Sequence, residues 1–302
     1  MSVVALLLIL VPLLLGVALV IAIAYGVVRL TSPRREGTEA AVRAARHRVA
    51  LVHVCAWLAV PFLALLVVVL VGASLTALPA TVALVPAVIG LGYVAVFAVG
   101  ESTWRRPAGE RRSASLTARS VATISPVTLR RLTWGWPLLA LPGIVLGGVS
   151  AAPTGELRRL RTLPDGASTW SFGEPYPSWA VGLALLAALV AVTGASELVL
   201  RSIAARPAVP DVPSEWDADL RRLTAHRVLR GPVIVGGLTV AGLYACLGAA
   251  WTSVGMPAVG WSLVALAIVC AVVALSVTSH RADVTLGDPS GTSDAEDDRA
   301  RR

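Results

Sequence analysis

Seven stretches of the chain are nearly continuous in apolar residues: Val3 to Leu30, Val49 to Gly72, Thr81 to Gly100, Thr133 to Ala152, Trp179 to Leu200, Pro232 to Thr252 and Trp261 to Ser279. A helix needs about 20 predominantly apolar residues to cross a hydrocarbon core of roughly 30 Å, and each stretch qualifies. The links at 73–80 and 253–260 are short, which predicts two helical hairpins. The pattern predicts an all-α polytopic membrane domain over residues 1–280, with about seven transmembrane helices. A polar tail follows over 281–302, rich in Gly, Asp, Ser and Thr and expected to be disordered in the cytosol.

Basic residues orient the spans. All 26 are arginine, and 23 of them fall on one side of the alternating scheme; Arg158, Arg159 and Arg161 alone fall on the other. The positive-inside rule then places the amino terminus out and the carboxyl tail in. The first apolar run is too long for a signal-peptide core and has no basic segment before it, so it is expected to stay as a span. Tryptophans agree, with Trp104, Trp134 and Trp136 at the expected inner boundary and Trp179, Trp251 and Trp261 at the outer one. One string cuts across the scheme. Leu157-Arg158-Arg159-Leu160 resembles cytosolic Leu129–Leu132 and Leu220–Leu223, and were it cytosolic the fourth span would be re-entrant.

Composition narrows the chemistry. The chain is 56% hydrophobic and 15% charged, where about 25% charged is usual for soluble domains. It contains no lysine, which removes Schiff-base chemistry, a P-loop and a lysine general base. Cys55, Cys246 and Cys270 lie in apolar runs, and no CxxC or HExxH occurs, so neither a metal nor a cofactor is expected. Gly194-Ala195-Ser196-Glu197-Leu198 lacks the second glycine of a nucleophile elbow, and no catalytic residue is assigned.

The polar candidates are few. His53 and Glu197, each about one turn inside the cytosolic boundary, form a candidate intramembrane polar pair expected to serve packing. Glu101 with Arg105 and Glu197 with Arg201 have the i,i+4 spacing of helix-end ion pairs. Thr38 to Arg48 is expected to extend the second span into the cytosol. Ser214 to Arg230 opens on a capping-box pattern and carries Trp216, Leu220 and Leu223 on one stripe. It is expected to lie on anionic inner-leaflet lipid and to end at Gly231-Pro232. Gly143-x-x-x-Gly147 marks a close helix contact, inside the monomer or at a dimer seam. Pro12, Pro61, Pro86 and Pro142 sit within spans and could bend them. The 154–178 loop contains Trp170, Phe172 and Tyr176, fit to dock a partner or to pack on the membrane. His47-Arg48-Val49 and His226-Arg227-Val228, and Leu129–Thr133 and Leu220–Thr224, recur in matching contexts; chance and a triplicated hairpin explain them equally well.

Gly100-Glu101-Ser102-Thr103-Trp104 with Arg105-Arg106-Pro107, together with Ala225-His226-Arg227-Val228, resembles multi-spanning integral membrane proteins of high-GC actinobacteria, an uncharacterised family. The resemblance implies the plasma membrane and transfers no activity. Three functional classes follow: a non-catalytic regulatory, scaffolding or complex subunit; a small-solute permease or transporter subunit; and a membrane enzyme. The bilayer, a membrane protein partner or a second copy are the expected partners, and nucleic acid is not.

Overall fold

The computed structural model describes residues 38–73, 79–104, 120–152, 155–162, 166, 168–173, 176–209 and 212–279, together with scattered positions between 16 and 26. The elements are α1 (Thr38–Ala73), α2 (Pro79–Ser102), a single turn α3 (Val121–Ile124), α4 (Val127–Ser150), β1 (Leu157–Thr162), β2 (Ser168–Gly173), α5 (Trp179–Ala205), α6 (Ser214–Ser253) and α7 (Pro257–Ser279). Six of these helices are long and apolar enough to cross a membrane, matching the second to seventh expected spans. The first expected span lies largely outside the described residues. Its described positions are helical, and Gly16 rests against the Leu66 side chain of α1. The tail at 281–302, Pro12 and Arg105 also lie outside them.

Charge ends the hydropathy signal sooner than it ends a helix. Backbone hydrogen bonding inside a helix continues past arginine at no cost, so α4 begins at Val127 and carries Arg130 and Arg131, and α5 runs on to Ala205. Thr38 to Arg48 continues the helix of the second span, as expected. The largest departure is α6. Ser214 to Ser253 is one helix of 40 residues, about 60 Å long, so roughly half of it stands outside a 30 Å apolar layer. No break occurs at Gly231-Pro232. Gly231 has no side chain to displace the Tyr93 ring, which lies flat against the helix there with its hydroxyl donating to the Arg227 carbonyl at 2.7 Å. Pro232 stays within the helix and simply leaves the Val228 carbonyl without its i+4 donor.

This central helix packs along α7 and against α2, α4 and α5. One core lies toward the arginine-rich end, around Tyr93, Phe97, Leu200, Ile203 and Leu229; the other lies toward the opposite end, around Trp136, Ile144, Leu189, Val240 and Leu247. Trp136 corrects the tryptophan reading, since its indole is buried against Gly236 and Gly237 of α6 and marks no membrane boundary. The Gly143 and Gly147 spacing works inside the monomer: Gly143 faces Leu243 and Tyr244, Gly147 faces Pro177 and Leu247, and Gly148 receives the Trp179 ring. The outward faces of α1 and α7 leave Val54, Leu58, Leu65, Ile268, Val272 and Leu275 exposed, as a lipid-contacting surface requires.

At the end away from most arginines the helices turn. α6 closes in a Schellman motif in which Met256 N–H donates to the Trp251 carbonyl and Gly255 N–H to Thr252, with Gly255 at φ +81° where a side chain would be strained. The loop expected at 154–178 contains an antiparallel hairpin, pairing Leu157 with Gly173 through Thr162 with Ser168. Leu157-Arg158-Arg159-Leu160 is therefore strand, unlike the helical strings it resembles. Gly173 seats the hairpin on the Ala250 backbone, and Ser150 and Tyr176 share a hydrogen bond between their hydroxyls. From Val127 to Ser150, α4 is one unbroken helix of 24 residues, about 36 Å long, which is enough to cross an apolar layer of roughly 30 Å.

Candidate functional site: buried charges at the helix ends

The carboxyl ends of α2 and α5 lie beside the amino-terminal halves of α1 and α6. A helix terminus leaves its last carbonyls unpaired and carries partial negative charge, so buried ends of this kind call for cationic donors. The arginines supply them. Arg221, 2% exposed, donates from Nη1 to the carbonyls of Ile203 and Ala204 at 2.9 and 3.0 Å, and from Nη2 to that of Arg206 at 2.9 Å. Its Nε is held by Asp217 Oδ2 at 2.9 Å, one turn earlier on α6. A guanidinium can do this because its five donors form a planar fork; an ammonium could not reach three carbonyls and a carboxylate in this arrangement.

Arg48 of α1 does the equivalent for α2, donating from Nη2 to the Gly100 carbonyl at 3.0 Å and to the Thr103 hydroxyl. Arg206, just past α5, lies between Glu101 (3.8 Å) and Asp217 (3.9 Å) as an ion pair on each side. Burial pulls its guanidinium below the ordinary arginine pKa, and Glu101 and Asp217 oppose that shift. The guanidinium carbons of Arg48 and Arg206 sit 4.8 and 4.5 Å from the Trp104 ring centre, cation–π contacts that bring both chains to one indole. Ala41, Val42, Ala45, Val49, Val209, Trp216 and Leu220 pack beside this cluster as a third apolar core.

This arrangement redistributes the expected polar residues. Glu101 meets Arg206. Glu197 turns away from Arg201 to Arg130 of α4, whose Nε and Nη2 donate to its two carboxylate oxygens at 2.6 and 3.1 Å, while Trp134 Nε1 donates to it at 3.1 Å. The reason is geometric: Arg130 is a fork presented edge-on across the α4–α5 contact, and a bidentate pair outcompetes an exposed i,i+4 pair. His53 and Glu197 have separate partners. His53 sits between Trp57 and Phe97, with ring centres 6.3 and 6.4 Å away, on the α1–α2 side. The Ser214–Arg230 segment packs on protein through Trp216, Leu220 and Arg221, where the sequence pattern suggests a helix lying on lipid. Among the described residues, no group of three His, Cys, Asp or Glu is placed to hold a metal ion.

Sequence reasoning missed Arg206, Asp217 and Arg221 as a unit. Asp217 and Arg221 have a readable i,i+4 spacing, but nothing local shows that their targets are backbone carbonyls on another helix. The arrangement can clamp: Arg221 is committed to helix-end carbonyls and Asp217, while Arg206 is held by longer ion pairs to Glu101 and Asp217 and by the Trp104 face. No protein-family model matches the chain, no curated protein matches it, and no solved structure matches it.

Proposed function

We propose that this chain is a non-catalytic integral protein of the plasma membrane, acting as a regulatory, scaffolding or complex-forming subunit, of a kind with the actinobacterial membrane proteins it resembles. The observation that carries the reading is the use of Arg221: the most deeply buried cation of the cluster is spent on three backbone carbonyls and one carboxylate, which fixes helices and leaves no donor for a substrate. Membrane-exposed apolar faces on α1 and α7 suit lipid, a partner helix or a second copy. The inner face carries most of the arginines, which suits an anionic leaflet.

Reconstitution tests this. Purified protein in liposomes should give no flux of protons, sodium, potassium or small neutral solutes above protein-free vesicles. A saturable flux that disappears in His53→Leu would favour the permease reading, since His53 would then serve more than packing.

A further inference from the structure

The amino-terminal halves of α1 and α6 enclose an open cleft of about 230 Å³ lined by Arg46, Val49, Leu220, Leu223 and Arg227. Its chemistry is two-sided. Val49 and Leu220 are buried and form an apolar floor with Leu223, while Arg46 enters from α1 and Arg227 from α6. The lining contains two cations and no carboxylate. Arg227 is positioned by Nη1 on the Val49 carbonyl at 3.3 Å, and the Arg46 guanidinium carbon lies 5.8 Å from the Trp216 ring centre. Both side chains are thus held at the two walls. Asp217, the nearest buried acid on the same helix, is committed to Arg221 and Arg206. Arg230 adds to the positive character of this stretch of α6, and Val49 stands where α1 begins its apolar run.

We propose that this cleft binds the phosphate of an anionic phospholipid, with the diester between Arg46 and Arg227 and the glycerol and first methylenes over Val49, Leu220 and Leu223. Guanidinium forks match phosphate oxygens two at a time, and the apolar floor beside them suits the glycerol and first methylenes of a lipid. A free phosphate ion would be served by the two arginines but would have no use for the apolar floor, and this sets the choice of ligand. The site is independent of whether the chain transports anything, so lipid retention and flux can fail separately.

The test uses the full chain in mild detergent, with lipid retention read by native mass spectrometry against added dioleoylphosphatidylglycerol, dioleoylphosphatidylcholine or inorganic phosphate. Wild type should retain phosphatidylglycerol over phosphatidylcholine, and R46Q and R227Q should each weaken it about tenfold. R222Q, which alters an exposed arginine paired with Asp219, should leave retention unchanged. If R227Q fails to accumulate because Arg227 ties α6 to the Val49 carbonyl of α1, R46Q decides alone. Equal retention of the two lipids, no effect of R46Q, or inorganic phosphate binding with the same dependence on Arg46 would each overturn the proposal.

Discussion

Asp217 holds Arg221 across one turn of α6, Oδ2 to Nε at 2.9 Å, and so aims the guanidinium at the carboxyl end of α5. The pair matters less for its own attraction than for what it points at. Removing one partner of a buried ion pair leaves the other charge without compensation, which typically costs about 3 to 5 kcal/mol. Arg221→Gln should therefore lower the thermal unfolding midpoint in detergent sharply. Arg221→Lys should restore part of the loss and no more, because an ammonium cannot serve all three carbonyls. Full rescue by lysine would show that charge alone suffices.

Trp104 joins two arginines that cap or flank different helices. Trp104→Leu keeps apolar bulk but removes the ring face, and should destabilise by about 1 to 4 kcal/mol, from two cation–π contacts of roughly 0.5 to 2 kcal/mol each, with Trp104→Phe intermediate. Limited proteolysis after Arg206 and thermal melts would report the order of the three proteins. A Leu variant as stable as wild type would mean the ring only fills space.

Glycines divide cleanly by their surroundings. A methyl group at Gly148 would enter the Trp179 ring, so Gly148→Ala should cost about 1 to 3 kcal/mol through overpacking. Gly194 and Gly242 have open space on their helices, and alanine there should be neutral or stabilising by up to about 1 kcal/mol. Melting curves of the three single variants give the comparison directly.

The two ends of the molecule should label from opposite sides. After Cys55, Cys246 and Cys270 are replaced by alanine, a membrane-impermeant thiol reagent should reach Ser168→Cys and Glu215→Cys from different faces of sealed vesicles. Labelling of both from one face would contradict the traverse of α4.

Glu197→Gln should reduce stability by about 0.6 kcal/mol and at most about 1.7 kcal/mol, the range for polar contacts between membrane helices, since Arg130 keeps one neutral acceptor. Thermal melts of Glu197→Gln and Arg130→Gln, singly and together, would measure the coupling.

Much of the architecture is legible in the sequence because crossing a bilayer demands length and apolarity, and both are local properties. The extension at Thr38–Arg48 was readable from another local property, the i,i+4 spacing of Glu39 and Arg43 on one helix face. The hairpin at Leu157–Gly173 was not, since its strands are six residues each and β1 carries three arginines, so no apolar alternation announces it. The charge cluster was hidden differently. Its members come from positions 48, 101, 104, 206, 217 and 221, and the chief acceptors are backbone carbonyls, which every residue possesses and no side-chain pattern reveals. Read as topology signals, the arginines are interchangeable; in the fold, Arg48 and Arg221 are fitted to particular helix ends.

The unbroken course of α6 has a mechanical consequence. A rod pinned at Arg221 and again at the Gly255 turn offers no joint along its length except the missing bond at Val228 and Pro232. Any push or twist applied near Ser214 is delivered to that one weak point or carried through it as rigid rotation, so the aqueous half of the molecule and its membrane-embedded half share a single lever with a single fulcrum.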